Sequence, residues 1–248
     1  MSPDAVDRFG ALLAERFGLR VEPARQRDLA DVLAARQAAT RCHNPDRYFE
    51  RLTDPLEAPA ELRAIATLVT IGETHFFRHA EHFHALAEVV LPDRRRAAAG
   101  RRLRVLSAGC SGGEEPYSVG MVLASQGAPA AEILGVDLNP EAVARARAGR
   151  YSEWSMRGVL PAVRQRYFRR EGSGWQLDAQ ILAMASFSER NLAEPDAAFW
   201  APGGFDVIIC RNVLIYFTPE VIREVIQRFA TALAPGGYLI LGPSESLR

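Results

Sequence analysis

Cysteine is scarce in this sequence. Its 248 residues hold three, Cys42, Cys110 and Cys210, far apart and with no C-x-x-C pair. That spacing argues against a disulfide framework or a cysteine-based structural zinc and for a reducing, cytoplasmic setting. No apolar run approaches membrane-spanning length, and the N-terminal MSPDAVDRFG has no basic-then-apolar leader, so neither membrane insertion nor secretion is expected. An excess of one charge is lacking too, since 30 basic residues balance 30 acidic ones. Without a global field no nucleic acid or anionic membrane is recruited, and any charge-driven partner must be read by a local patch. Internal repeats and low-complexity tracts are absent.

What is present centres on Leu103 to Tyr117, LRVLSAGCSGGEEPY. A short apolar run leads into small residues, among them Gly109, Gly112 and Gly113, and then into the adjacent acids Glu114 and Glu115. This reads as a buried strand, a glycine-rich turn and a helix start, a place where backbone can approach a ligand closely. The turn has neither the Lys-Ser/Thr pair of a phosphate loop nor G-x-G-x-x-G spacing, and two acids would repel a pyrophosphate. A neutral or cationic nucleoside ligand fits better.

Before this turn every periodic segment is helical. Val6, Phe9, Leu13 and Phe17 recur at helical spacing and stop at Gly18; further helices are expected at about 24–39, after the Asn44-Pro45 cap, at about 60–69, and up to Leu91. These make a small all-α N-terminal domain, 1–91. The stretch 92–101, PDRRRAAAGR, reads as a linker to a second domain over 102–248. His75, His79, His82 and His84 have near-helical spacing, but no carboxylate or cysteine at ligand spacing accompanies them, and no metal is expected.

From Arg102 strands and helices alternate, the pattern of a parallel sheet covered by helices. Strands are expected at 103–108, 132–136, 187–192, 205–210 and 238–241, with an excursion between 150 and 185. The second strand ends in Asp137, where such folds place a carboxylate that accepts from ribose hydroxyls. Polar residues just after the strand FDVIIC, beginning with Arg211 and Asn212, point into the crevice above the sheet's carboxyl edge.

Six blocks in order carry a resemblance: GETHFFR (72–78), SAGCSGGEEPYS (107–118), GVDLNPEAVARA (135–146), RNL (190–192), FDVIICRNVLIYF (205–217) and LAPGGYLILGPSES (233–246). The chain resembles the chemotaxis-type protein-glutamate O-methyltransferases, which methylate bacterial chemoreceptors with S-adenosylmethionine and release S-adenosylhomocysteine. The resemblance implies a class I, Rossmann-like methyltransferase sheet behind the helical domain. It places Thr74, Arg78, Gly109, Glu114, Asp137, Asn191, Leu192, Arg211 and Asn212 at the cofactor, and Arg78 and Tyr216 beside the methyl-transfer centre. Where many members have asparagine this sequence has Gly72, so one side-chain contact to the cofactor is missing. The implied partner is the cytoplasmic helical region of a chemoreceptor. Arg25, Arg27 and Arg36 on the second helix are candidates to dock it, the alternative being a solvated face. The excursion at 169–186 is shorter than in members that tether to a receptor's C-terminal peptide, which argues against tethering. The chain also ends soon after the fifth strand, where the family usually returns through an antiparallel pair, so truncation or a following module is expected.

The cofactor's chemistry agrees with the residues, because a sulfonium bearing an amino acid suits an acidic turn better than a phosphate does. Two other readings stay open. One is a cofactor-binding interaction module with lapsed catalysis, motivated by Gly72 and the early stop. The other is a small-molecule methyltransferase, which the helical domain and the FFR cluster argue against.

Overall fold

The structure, a computed structural model, describes residues 2–98, 100–127 and 131–245. The N-terminal region is helical: α1 (Pro3–Phe17), α2 (Gln26–Thr40), α3 (Pro45–Arg51) and α4 (Ala58–Val69). Its helix ends follow their capping chemistry. Ser2 Oγ accepts from the Ala5 amide at the start of α1, and Asn44 Oδ1 accepts from the Asp46 and Arg47 amides ahead of α3. Phe9, Leu13, Leu33, Tyr48, Leu52 and Ile65 fill one core, each fully buried or nearly so.

Gly18 ends α1 at φ 71°, and a Cβ there would stand 2.8 Å from Val221 Cγ1 and 3.0 Å from Ala193 Cβ. The glycine therefore permits both the left-handed turn and the close seating of α1 on the following region. That seating is fastened by backbone: Arg20 N–H donates to the Tyr216 carbonyl at 2.7 Å and Thr218 N–H to the Gly18 carbonyl at 3.0 Å.

The stretch expected to be a linker is mostly helix. Helix α5 (Ala80–Ala85) runs through a π turn (Leu86–Val90) into α6 (Leu91–Ala97). Pro92 cannot donate an amide, and the turn ahead of it is widened. Arg94 is buried rather than solvated, donating to the Pro235 carbonyl at 3.0 Å and pairing with Asp93 at 2.7 Å. An apolar periodicity interrupted by three arginines hid this helix.

The C-terminal region is built on β1 (Leu103–Ala108), α7 (Glu114–Ser125), β2 (Ala131–Asp137), α8 (Pro140–Ala148), β6 (Ala185–Glu189), β7 (Phe205–Cys210), α11 (Pro219–Ala232) and β8 (Leu233–Leu241). Its sheet is parallel in the order β6-β2-β1-β7-β8. All six residues of β7 are buried, as a central strand covered on both faces requires. The strand order reverses between β1 and β7, so the loops after these two strands diverge and leave a crevice. Two expectations shift: β6 ends at Glu189, leaving 190–192 beyond its tip, and β8 starts at Leu233 with a register irregularity.

Between α8 and β6 the excursion contains β3 (Arg150–Tyr151), α9 (Pro161–Tyr167), β4 (Phe168–Glu171), β5 (Gly174–Leu177) and α10 (Ala179–Leu182). The strands form an antiparallel sheet, β3-β5-β4. No helix among the described residues is long and apolar enough to cross a membrane.

Candidate active site

A cleft of about 1120 Å³, open to solvent, lies where the crevice predicts, between the carboxyl edge of the sheet and the helical region. Leu19, Arg25 and Val69 face it from the helical side; Gly109, Asp137, Leu192 and Asn212 face it from the strand ends. Of the ten residues the sequence singles out, Thr74, Arg78, Gly109, Asp137, Asn191, Leu192, Arg211, Asn212 and Tyr216 line this one cleft.

The tenth does not. Glu114 lines an adjoining hollow with Arg145 and Trp154, and its Oε1 accepts from Ser155 Oγ at 3.0 Å. The acid that faces the cleft is its neighbour Glu115. Consecutive side chains on a helix point about 100° apart, so only one of the pair can face the ligand, and the sequence alone does not say which. Burial pushes the carboxyls of Glu114, Glu115 and Asp137 above their ordinary range.

Each loop is held by a specific device. Gly109 has φ 77°, and a Cβ on it would collide with the Val213 side chain. Asp137 shapes the loop after β1 as well as its own, with Oδ2 accepting from the Ser111 amide at 2.7 Å and Oδ1 from the Asn139 amide at 2.9 Å. Ser111 Oγ in turn donates to the Gly72 carbonyl at 3.2 Å, so the residue without a side chain contributes its backbone. Asn191 is committed elsewhere: its Nδ2 donates to the Arg16 carbonyl at 2.7 Å and its Oδ1 accepts from the Ala193 amide at 3.0 Å. Its buried side chain fastens α1 to the tip of β6.

The loop after β7 depends on a residue the sequence reading does not single out, Glu245. Its carboxylate accepts from the amides of Asn212, Val213 and Leu214, each at 2.8 Å, and of Gly242 at 2.7 Å. This clamp fixes Asn212, at φ 58°, and the short helical turn Leu214–Tyr216. Glu245 lies within the sequence block 233–246, to which the resemblance assigns no cofactor or catalytic residue.

The arrangement suits an adenosyl cation. Leu19, Val69, Ile71, Leu138, Leu192 and Phe217 offer apolar surface to a base; Asp137 offers a carboxylate whose burial a positive charge relieves, and Glu115 faces the cleft while paired with Arg211 at 3.0 Å. Asn212 Oδ1 is buried without a partner, ready to accept from a ligand donor. These groups fit S-adenosylmethionine.

Residues 72–248 match the family model described as "CheR methyltransferase, SAM binding domain". The chain belongs to the CheR methyltransferase family. Curated relatives agree. The chain is 34% identical over 243 residues to "Probable biofilm formation methyltransferase WspC" of Pseudomonas aeruginosa, covering 97% of this chain and 56% of that protein. It is 39% identical over 192 residues to "Chemotaxis protein methyltransferase 1" of the same species, covering 74% and 69%. With "Probable chemotaxis protein methyltransferase" of Rhizobium etli the identity is 38% over 208 residues, covering 80% and 76%. The chain thus spans just over half the length of the WspC relative.

One docking expectation is overturned within this CheR framework. Arg36 is not on an open basic face, because it makes a bidentate pair with the buried Glu61 at 2.9 and 2.8 Å. Arg25 lines the cleft instead, and of the three only Arg27 is exposed.

Proposed function

We propose that this protein transfers a methyl group from S-adenosylmethionine to glutamate carboxylates on the cytoplasmic helical region of a bacterial chemoreceptor. The observation that carries this reading is the meeting of nine separately spaced residues in one cleft within a domain of the CheR family.

S-adenosylmethionine supplies an electrophilic methyl on a sulfonium. The protein's tasks are to bind, to orient and to exclude water. Asp137 and Asn212 would hold the nucleoside, and Glu115 would face the positively charged end. Arg78, half-buried at the cleft, presents a guanidinium suited to a carboxylate. Tyr216, also half-buried there, offers one hydroxyl to orient the acceptor. A glutamate with pKa near 4.3 is about 99% ionised at neutral pH, so no general base is required. Alignment then governs the rate, and holding reactants in line is worth about 7–11 kcal/mol.

Arg27 on α2, and Arg25 just before it at the cleft, are the basic groups there that an acidic acceptor segment meets. The relative matched over 97% of the chain is named for biofilm formation, and one named for chemotaxis is matched over 74%. The test is transfer of labelled methyl from S-adenosylmethionine to membranes carrying candidate receptors of both kinds. Label on a receptor band supports the reading; cofactor binding with no transfer to any receptor supports the interaction module instead.

A further inference from the structure

Arg78 stands between two residues of left-handed backbone, Phe77 at φ 55° and His79 at φ 57°. Non-glycine residues persist there only where surrounding contacts hold them. Phe77 is held by Ser118, whose Oγ accepts from its amide at 3.0 Å. The Arg78–His79 end is held by Arg211, whose side chain is almost wholly buried. Its Nη2 donates to the Arg78 carbonyl and lies 2.8 Å from His79 Nδ1, while its Nη1 pairs with Glu115 Oε2 at 3.0 Å. Glu115 Oε1 accepts from Ser107 Oγ at 2.7 Å, which ties the cluster to β1.

A guanidinium has donors only. His79 Nδ1 must therefore carry its lone pair toward Arg211, with the ring proton on Nε2. We propose that His79, as a neutral imidazole, is a positioning residue: it fixes Arg211 and, through Arg211, both the strained Arg78 segment and Glu115 in the cleft. Protonation of His79 would place a donor against a donor and a cation against a cation, and the cleft would loosen.

The groups around His79 favour its neutral form. Burial, Arg211 and Arg78 push its pKa below the ordinary histidine value, and Glu81 on α5 pulls the other way. His82 on α5 and His75 on the same segment are shifted down as well, His79 among the causes of each. A histidine protonated more readily unfolded than folded contributes stability above its unfolded pKa, near 6.5, and that contribution is lost as pH falls below it.

The inference rests on the proposed function only in taking the cleft as the cofactor site. Its test uses the full chain with His79→Asn, whose amide oxygen can accept as Nδ1 does but does not titrate, and His79→Phe, which has no acceptor. Nitrogen-15 NMR of the ligand-free protein should show His79 neutral with the proton on Nε2 near pH 7.5, and slow exchange of the Arg211 guanidinium protons in wild type and His79→Asn but not in His79→Phe. Calorimetry with S-adenosylhomocysteine should show wild-type affinity falling severalfold from near pH 7.5 to near pH 5, with the loss confined to below about pH 6.5 because His79 titrates below the ordinary histidine value. His79→Asn should lose much less over that range, and His79→Phe should bind weakly throughout. A proton on Nδ1 near pH 7.5, or an acid loss in His79→Asn equal to wild type, overturns the proposal. Failure of S-adenosylhomocysteine to bind at any pH would defeat the cofactor reading, and the tautomer and guanidinium exchange would still decide the role of His79.

Discussion

Arg36 and Glu61 close a two-pronged ion pair inside the helical region, and the Tyr48 hydroxyl donates to the same carboxylate at 2.7 Å. Burial opposes the charge on Glu61, but the hydrogen bonds from Arg36 and Tyr48 prevail and hold its pKa below the usual glutamate value. Arg36→Ala removes the cation from that buried carboxylate, leaving it the Tyr48 hydroxyl, and should cost up to about 3–5 kcal/mol, read by urea denaturation. Because the folded pKa is depressed, the pair's contribution is present above the unfolded value near 4.3 and is lost as pH falls through the folded one. Arg36→Ala should flatten that part of the pH–stability curve. A charge reversal here would report folding, not docking.

The Glu245 clamp makes a second prediction. Glu245→Ala strands backbone amides that are otherwise paired, at about 1–3 kcal/mol for each that water cannot reach. Thermal stability should drop, and affinity for S-adenosylhomocysteine should drop with it, since Asn212 and Tyr216 hang on the released loop. Wild-type affinity in this variant would detach the clamp from the site.

Asp137→Ala removes the carboxylate that joins the loops after β1 and β2. S-adenosylmethionine and its product should raise the melting temperature of the wild type by linkage and fail to do so in the variant. An unchanged shift would remove Asp137 from the site.

Tyr216→Phe should lower turnover while leaving cofactor affinity nearly intact, because an orienting hydroxyl matters when the reacting groups are aligned. Arg78→Ala should be worse, since a misplacement of about 1 Å can cost about 10²-fold. A tyrosine variant losing affinity in proportion to rate would move Tyr216 to the cofactor side.

Much of this site was legible in the sequence because strand tips announce themselves: Gly109 after β1, Asp137 at the end of β2 and Asn212 after β7 each follow a buried apolar run. What was not legible depends on direction and distance. Choosing Glu115 over Glu114 needs the rotation of a helix start. Seeing Asn191 as a fastener of α1 needs the position of Arg16, 175 residues away in sequence. Arg36 looked like a surface charge because its partner, Glu61, lies on another helix. The 92–101 stretch looked like a linker because buried arginines such as Arg94 read as solvated ones.

The most direct test is the chemistry of the product. Receptor labelled with methyl from S-adenosylmethionine by this protein should release that label as volatile methanol under mild alkali, as a glutamyl methyl ester does. Label that survives alkali on the acceptor would mean a methylated nitrogen or another stable linkage, and would contradict carboxylate methylation.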